Sequence, residues 1–533
     1  MTPVPGPGRG LMVCGTASDV GKSVVVAGLC RLLSRRGVRV APFKAQNMAL
    51  NSSVTVSGHE IGRAQAAQAM AAEVEPEVAM NPILLKPTGE GTSQVVIMGR
   101  PAGTASHLDA AAYRAQSDRL LPIVVDALGD LRLRYDVVIC EGAGSPAEIN
   151  LLDHDIVNLR VAAEAGLPSL IVGDIDRGGV FASLFGTVAL LPDSFRDLVK
   201  GFVINKLRGS PELLTSGLAD LERRTGIPTL GVLPFAEGLT LDAEDSLDLE
   251  GSRPPGTAPV RGTLDVAVVR LPRISNFTDF DPLWVEPGVR VRLVERPEAM
   301  GDPDLVVLPG SKATVADLAW LRATGLAEEL GRARHRGSCI LGICGGYQML
   351  GGRIVDRVES GCGDGQGLGW LDVDTRFGVT KVTRQRHGTA LGEPVTGYEI
   401  HHGRHRSGPS ARPWVELRGR FGMEAEGASD PSSQVRGTSL HGLFEQDRFR
   451  AAFLEELSRR RGRGFVPAGT SFDAVRQAHF DRLADLLEEH LDLVALERII
   501  VEGALTSGAA RAGQRASAGV AGLARRGHAR CQT

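Results

Sequence analysis

A cysteine between a short apolar run and two glycines is the residue of this sequence best suited to nucleophilic chemistry. The run Cys339–Ile343 predicts a buried strand, and residues 347–350 predict the start of a helix. A strand that turns sharply into a helix exposes the residue at the corner, here Cys344, and small neighbours let a substrate carbonyl approach it. The positive end of the helix dipole would favour the thiolate form. The alternative is an ordinary buried thiol, the usual state of a free cysteine.

A glycine-rich segment near the N-terminus has the composition of a phosphate-binding loop. It lies between a predicted strand at residues 10–14 and a predicted helix at residues 24–34. Backbone N–H groups and the helix N-terminus would hold phosphate oxygens, a lysine would neutralise their charge and a serine hydroxyl would ligate Mg²⁺. The loop has one residue more between its glycines than the standard motif, and the alternative is a simple turn. The predicted ATP contacts in this segment are Gly15, Thr16, Asp19, Gly21, Lys22 and Ser23.

Polar residues at the ends of later predicted strands would complete the nucleotide site, because ligands of parallel sheets bind at the carboxyl ends of the strands. Lys44 and Asn205 each end such a strand and are predicted ATP contacts. Glu141 follows the apolar run at residues 135–140, which would place it as a Mg²⁺ ligand together with Ser23, unless it is only a turn carboxylate. The further candidates for substrate or phosphate contacts are Asn150, Asp155, Asp174, Asp176 and Arg177, although a solvated turn is an equal alternative for the last three.

Composition limits the classes of function open to this chain. Its 533 residues are too many for one core, so several domains are expected. A net charge of −3 with 23% charged residues does not indicate nucleic-acid binding. Seven cysteines without CxxC pairs argue against a disulfide framework or a zinc site and favour the cytoplasm. No apolar run is long enough to cross a bilayer, and the N-terminus does not have the pattern of a signal peptide.

The alternation of predicted strands and helices indicates two α/β units. Residues 1–249 predict a doubly wound parallel sheet with a P-loop, and the Pro/Gly-rich residues 250–262 predict a linker. Residues 263–502 predict a second α/β domain that ends in helices. The Ala/Gly/Arg-rich residues 503–533 predict a disordered tail.

Several motifs occur together and in an order that resembles the cobyric acid synthase family, the glutamine-dependent amidases of cobalamin biosynthesis. The phosphate loop itself is similar to the variant loop of dethiobiotin synthetase and its amidating relatives. The resemblance extends from residue 10 to about residue 500 and rests on residues 15–23, 141–150, 173–181, 308–312, 339–348, 398–401 and 440–443.

The resemblance implies a dethiobiotin-synthetase-like ATP domain fused to a class I glutamine amidotransferase domain. It implies that Cys344 attacks the glutamine amide, that His441 is its base, and that the N–H groups of Gly310 and Gly345 form an oxyanion hole. It further implies the substrates glutamine, Mg-ATP and a corrinoid, and amidation of four carboxylates of an adenosylated cobyrinic or hydrogenobyrinic a,c-diamide. Leu443 stands where many class I amidotransferases have a glutamate, so another group must orient His441.

Two other functions stay open at this point. A sister enzyme that makes the a,c-diamide from cobyrinic acid shares both modules, although residues 47–51 and 398–403 favour the first function. A regulatory ATPase with an inactive amidotransferase domain is the other, and the intact Cys344 and His441 oppose it. A homo-oligomer is compatible with all three.

Overall fold

The computed structural model describes residues 8–89, 91–106, 110–236, 262–359 and 363–503. The predicted linker apart from its last residue, and the predicted tail apart from its first, lie outside these residues.

The N-terminal domain is built on a parallel six-stranded sheet with the strand order β12-β11-β10-β1-β9-β2. Its described strands are β1 (Arg9–Gly15), β2 (Val40–Phe43), β3 (Gln46–Met48), β4 (Ser52–Val54), β5 (Glu60–Gly62), β6 (Ile83–Gly89), β7 (Thr92–Ile97), β8 (Arg100–Ser106), β9 (Val137–Glu141), β10 (Ser169–Asp174), β11 (Val199–Leu207) and β12 (Thr229–Pro234). Its described helices are α1 (Lys22–Arg35), α2 (Arg63–Ala71), α3 (Ala110–Arg134), α4 (Leu159–Ala165), α5 (Val180–Leu190), α6 (Asp193–Arg196) and α7 (Thr215–Thr225).

Alternate residues of the central strand face opposite sides of this sheet. Met12 and Cys14 belong to the core on one face, whereas Leu11 and Val13 belong to the core on the other. A continuous apolar run is therefore what a strand covered on both faces requires. The doubly wound parallel sheet that the sequence predicted is confirmed. Strand β7 lies in a separate sheet with the order β3-β6-β7-β8.

The second domain has a sheet with the order β15-β13-β16-β18-β26-β25, parallel except for its last strand. A second sheet is built around the long antiparallel hairpin β21-β22 and is antiparallel except where β19 pairs with β21. Its described strands are β13 (Leu264–Val269), β14 (Ile274–Ser275), β15 (Val289–Val294), β16 (Leu305–Leu308), β17 (Gly310–Ser311), β18 (Cys339–Ile343), β19 (Arg353–Asp356), β20 (Gly363–Gln366), β21 (Val373–Ala390), β22 (Glu393–Ser407), β23 (Val415–Gly419), β24 (Gly422–Glu426), β25 (Ala428–Ser429), β26 (Val435–Thr438) and β27 (Leu440–His441). Its described helices are α8 (Asp281–Trp284), α9 (Thr314–Ala323), α10 (Leu326–His335), α11 (Gly345–Leu350) and α12 (Asp447–Arg461), and α13 (Phe472–His490) follows them.

The C-terminal helix α13 packs on the N-terminal domain. Phe480, Leu483 and Leu487 belong to the same apolar core as Val25 of α1, and Leu491 forms a bridge with Gly231 of β12. The sequence had assigned this helix to the second domain, since it follows that domain in the chain. Its apolar face is instead buried against α1, so that the chain returns to the first domain at its end.

Candidate active sites

Cys344 lies at the corner between β18 and α11, as the sequence predicted. Its backbone has φ 49° and ψ −105°. This conformation is energetically unfavourable for any residue other than glycine. The glycines around it allow close packing, because a Cβ on Gly346 would stand 1.9 Å from the carbonyl oxygen of Leu308. Cys344 is 8% exposed, and it lies at the carboxyl end of a central strand of the sheet. This geometry is that of a nucleophile elbow.

His441 and a carboxylate from a distant loop form a buried pair beside this cysteine. His441 Nδ1 lies 2.7 Å from Oδ2 of Asp279, and the Gly442 N–H donates to the other carboxylate oxygen at 2.8 Å. The Tyr398 ring stacks on the imidazole with 5.4 Å between ring centroids. Cys344 lines the same cavity as His441. Asp279 therefore supplies the orienting group that Leu443 does not.

The protonation of His441 is set by competing effects. Burial opposes a charged imidazole, but the negative charge and the hydrogen bond of Asp279, followed by the interaction with Cys344, outweigh it. Together they raise the pKa of His441 to about 10. His441 is therefore a cation at neutral pH.

The two glycines predicted to form the oxyanion hole lie next to this pair. Gly345 is the first residue of α11, and a Cβ placed on it would stand 2.6 Å from the backbone nitrogen of Ser311. A Cβ on Gly310 would stand 3.5 Å from Cε1 of His441. The ends of β16, β18 and β26 therefore bring Gly310, Cys344 and His441 together.

Both domains line the cavity in front of Cys344 and His441. Lys86 of the N-terminal domain lines it together with Lys312 and Lys381 of the second domain. Glu60 accepts from Lys86 and from Lys381 at 2.6 Å each, and all three side chains are at least 95% buried. Glu359 pairs with Lys312, whose ammonium group also donates to Gln94 at 2.9 Å. An ionic network therefore joins the two domains at the mouth of the cysteine site.

A second group of polar residues meets at the phosphate loop. Glu141 at the end of β9 accepts from Ser23 at 2.9 Å, from Lys44 at 3.0 Å and from Gln68 of α2 at 2.5 Å. Burial would raise the pKa of Glu141, but the Lys44 ammonium group and these hydrogen bonds lower it, so that Glu141 is ionised. The structure thus brings together Ser23, Lys44 and Glu141, three of the residues selected from the sequence.

The loop itself has the conformation expected of a strand-to-helix phosphate loop. Lys22 donates to the carbonyl oxygens of Ala17 at 2.8 Å and Gly144 at 3.3 Å. Gly21, with φ 98°, precedes α1, and a Cβ at this position would stand 2.0 Å from the side-chain nitrogen of Asn205. Asn205 donates to the carbonyl oxygen of Val20 at 3.0 Å, so in this structure its amide supports the loop. Gly15 and Thr16 begin the loop, and the Thr16 N–H donates to Val172 of β10.

The remaining candidates fall into two groups. Asp174 pairs with Lys206 at 2.8 Å, and Arg177 lies 3.8 Å from both Asp174 and Asp19, so this charged cluster borders the phosphate loop. Asp176 pairs with Arg208 at 2.7 Å on the same side.

The other two candidates lie after β9. Asp155 is largely buried, and it accepts from the N–H groups of Val157 and Asn158 at 2.7 and 3.1 Å. Burial raises the pKa of Asp155. Asn150 is exposed in the preceding turn.

Mg²⁺ fits the donors at the phosphate loop. A hard divalent cation takes oxygen ligands, and the Ser23 hydroxyl and the ionised Glu141 carboxylate are adjacent there. No cluster of three or more His, Cys, Asp or Glu side chains that could hold a metal occurs among the described residues, so phosphate and water oxygens would have to complete the coordination.

Two residues of these sites were not selected from the sequence. Asp279 was seen only as part of a polar loop at residues 276–281, and Gln68 only as part of a helix of alanines and glutamines. A buried partner for His441 was expected in general terms, but nothing local in the sequence distinguishes Asp279 from Asp281.

Comparisons with known proteins agree with this arrangement. Residues 11–248 match the family model described as the CobQ/CobB/MinD/ParA nucleotide binding domain, and residues 265–449 match the CobB/CobQ-like glutamine amidotransferase domain. A solved structure titled as a glutamine amidotransferase covers 37% of this chain and 98% of its own, with 18% identity and a TM-score of 0.29, values too low to support an argument. The two family models define a nucleotide-binding domain joined to a glutamine amidotransferase domain.

Full-length relatives specify the family. A cobyric acid synthase of Nocardia farcinica is 55% identical over 510 residues, which is 93% of this chain and 97% of the relative. A cobyric acid synthase of Frankia casuarinae is 52% identical over 520 residues, with the same shares of both chains. The chain therefore belongs to the cobyric acid synthase family and is an enzyme, a glutamine amidotransferase of the ligase type. None of the described helices combines the length and the apolar character that a membrane span requires.

Proposed function

We propose that the protein amidates the b, d, e and g carboxylates of an adenosylated cobyrinic or hydrogenobyrinic a,c-diamide, with glutamine as nitrogen donor and ATP as activator. From the cobalt-containing substrate the product would be adenosylcobyric acid, an intermediate of cobalamin biosynthesis. The family membership supports the overall amidation, and the two sites support the division of labour described next.

The glutaminase half-reaction would use the buried pair at the elbow. The Cys344 thiolate attacks the amide carbon of glutamine, and the N–H groups of Gly310 and Gly345 stabilise the oxyanion, worth about 3 kcal/mol in comparable sites. The His441 imidazolium gives its proton to the leaving ammonia, so that a thioester forms. His441 then takes a proton from water, which hydrolyses the thioester to glutamate. Asp279 holds the imidazole in the required orientation through both steps.

The ATP-dependent half-reaction would use the phosphate loop. A carboxylate is a poor electrophile, so it attacks the γ-phosphorus of ATP and releases ADP, which gives an acyl phosphate. Ammonia then attacks the acyl carbon, and inorganic phosphate leaves. Lys22 and Lys44 offset the charge of the phosphates, and the loop N–H groups orient them. Mg²⁺, held by Ser23 and Glu141, would stabilise charge on the transferring phosphoryl group.

The observation that carries this proposal is the position of the cysteine site. Cys344 and His441 open into a cavity that Lys86 of the N-terminal domain also lines, so ammonia would be released at the boundary of the two domains. Ammonia that reached the solvent would be protonated and would lose its nucleophilicity. We therefore include in the proposal an internal path from Cys344 to the ATP domain.

The experiment is mass spectrometry of a corrinoid a,c-diamide incubated with the protein, glutamine and Mg-ATP. We expect mono- to tetra-amidated products to appear in turn. Cys344→Ala should abolish the use of glutamine and retain amidation from ammonium chloride. Conversion of cobyrinic acid to its diamide instead would assign the protein to the sister activity. If neither substrate gave a product, a regulatory ATPase would be the remaining interpretation. Release of free ammonia equal to glutamine consumption during full turnover would contradict the internal path.

A further inference from the structure

A segment of the N-terminal domain contacts the loop that carries Asp279. The Phe277 N–H donates to the side-chain oxygen of Asn51 at 3.2 Å, and the Ser52 N–H donates to the side-chain oxygen of Asn276 at 3.1 Å. The two bonds are reciprocal, since each domain offers one asparagine side chain and one backbone N–H. Asn51, Ser52 and Asn276 are each at most 2% exposed, so solvent does not compete for these bonds.

The same segment holds the aromatic residue on the other side of His441. Tyr398 stacks on the imidazole, and its hydroxyl donates to the carbonyl oxygen of Ser52 at 3.0 Å. The Asn276 amide lies 3.4 Å from this hydroxyl. One short stretch of the N-terminal domain is therefore bonded both to the loop of Asp279 and to the ring that covers His441.

The loop of Asp279 depends on such external support. Asn276 has φ 54° and ψ 40°, a left-handed conformation that is unfavourable without compensating contacts. Its carbonyl oxygen accepts from the Asp279 N–H at 3.1 Å. The orientation of Asn276 therefore affects the position of the Asp279 backbone. A small displacement here would lengthen the 2.7 Å contact between Asp279 and His441.

From these contacts we infer that Asn51 and Ser52 of the ATP domain are positioning residues of the glutaminase site, acting through Asn276 and Tyr398 on the pair His441–Asp279. This inference rests on the glutaminase role proposed above for Cys344 and His441. Residues of the ATP domain thereby help to hold the glutaminase site of the second domain in the same chain.

The segment also leads directly to the nucleotide site. The Arg63 N–H at the start of α2 donates to the Asn51 carbonyl oxygen at 3.2 Å, and Gln68 of the same helix donates to Glu141. The Arg63 side chain pairs at 2.8 Å with Glu445, four residues after His441. A change in the partners of Glu141 on nucleotide binding would therefore act on α2, which contacts the positioning segment and the second domain. We expect Mg-ATP to raise glutaminase kcat through this contact.

The experiment compares Tyr398→Phe and Asn51→Ala with the unmodified protein. Tyr398→Phe keeps the ring over His441 and removes only the hydroxyl, which donates to Ser52 and lies 3.4 Å from the Asn276 amide. Tyr135→Phe is the matched control, because it also removes one hydroxyl, whose partner is Glu77 in the N-terminal domain. Glutaminase kcat and KM are measured with and without Mg-ATP and a corrinoid a,c-diamide, and amidation from ammonium chloride is measured in parallel. Thermal unfolding verifies that each variant is folded.

We expect Tyr398→Phe to lower glutaminase kcat by about 3- to 10-fold, the effect of one buried hydrogen bond, with the KM for glutamine changed less than about twofold. Asn51→Ala should lower glutaminase kcat at least as much, and this variant should also show less stimulation of kcat by Mg-ATP. Amidation from ammonium chloride should stay at the unmodified rate in both variants, and Tyr135→Phe should change nothing.

Four results would contradict the inference, in whole or in part. An unchanged glutaminase kcat in both variants would contradict the positioning role. A loss of ammonia-dependent amidation together with the loss of glutaminase activity would indicate general damage to the protein instead. A lowered kcat with unchanged Mg-ATP stimulation would leave the positioning role and exclude the link through α2. An unmodified protein that hydrolyses no glutamine would refute the proposed function itself, and the inference would fail with it.

Discussion

The carboxylate of Asp279 is the feature of the glutaminase site whose removal gives the sharpest test. Asp279→Asn keeps the size of the side chain and removes its negative charge. We expect glutamine hydrolysis to become slower, because the imidazolium of His441 loses the charge that stabilises it. In addition, one of the two carboxylate oxygens that contact His441 and the Gly442 N–H becomes a donating amide group.

The magnitude follows from the protonation of His441. The surroundings move its pKa from 6.5 to about 10, and Asp279 is the largest of the causes that raise it. This difference corresponds to about 5 kcal/mol at about 1.36 kcal/mol per pKa unit. If roughly half of it comes from the Asp279 charge, the loss is about 2 to 3 kcal/mol, or about 30- to 150-fold in glutaminase kcat/KM.

The pH dependence provides a second readout with a definite sign. In the unmodified protein His441 keeps its proton until the pH approaches 10, so the alkaline limb of glutaminase kcat/KM should lie near that value. In Asp279→Asn the limb should move down towards the ordinary value of 6.5. Because the folded pKa is raised, the contribution of His441 to stability is complete below pH 6.5 and is lost as the pH rises through about 10.

The assay is glutamate formation as a function of pH, with amidation from ammonium chloride as the internal control. Asp302→Asn is the matched variant, since Asp302 is 56% exposed and pairs with Arg461 on the surface. We expect Asp302→Asn to behave as the unmodified protein. An Asp279→Asn variant with unchanged kcat/KM and an unmoved alkaline limb would refute the role assigned to Asp279.

Three further predictions concern stability. Glu60→Gln should lower the free energy of unfolding by about 3 to 5 kcal/mol, because two buried lysines lose their shared carboxylate; an unchanged midpoint in urea would contradict this. Leu487→Ala in α13 should cost about 2 to 5 kcal/mol, since the side chain lies in the core of the N-terminal domain, and retention of full thermal stability would show that α13 does not complete that core. Gly346→Ala should lower the thermal midpoint by several degrees, because its Cβ would stand 1.9 Å from the Leu308 carbonyl oxygen; normal stability and activity would mean that the elbow is not tightly packed.

The features predictable from sequence were those encoded by neighbouring residues. The elbow at Cys344 and the phosphate loop before α1 each need a strand, a tight turn with glycine and a helix, and these signals lie within a few residues of one another. Glu141 could be found for the same reason, since an apolar run that ends in a carboxylate delivers it to the carboxyl end of a parallel strand, and Glu141 ends β9.

The tertiary structure alone decided the contacts between distant parts of the chain. Asp279 reaches His441 because the segment after β14 lies next to β27, and a polar loop gives no local sign of such a partner. Glu60 and Lys381 would be taken for solvated surface residues, yet they pair across the boundary of the two domains, where both side chains are buried. The helix α13 follows the second domain in sequence but completes the core of the first domain. The apolar face of α13 is buried against the apolar surface of α1. Sequence order determines local conformation, whereas the docking of the domains determines which charged and apolar side chains find partners.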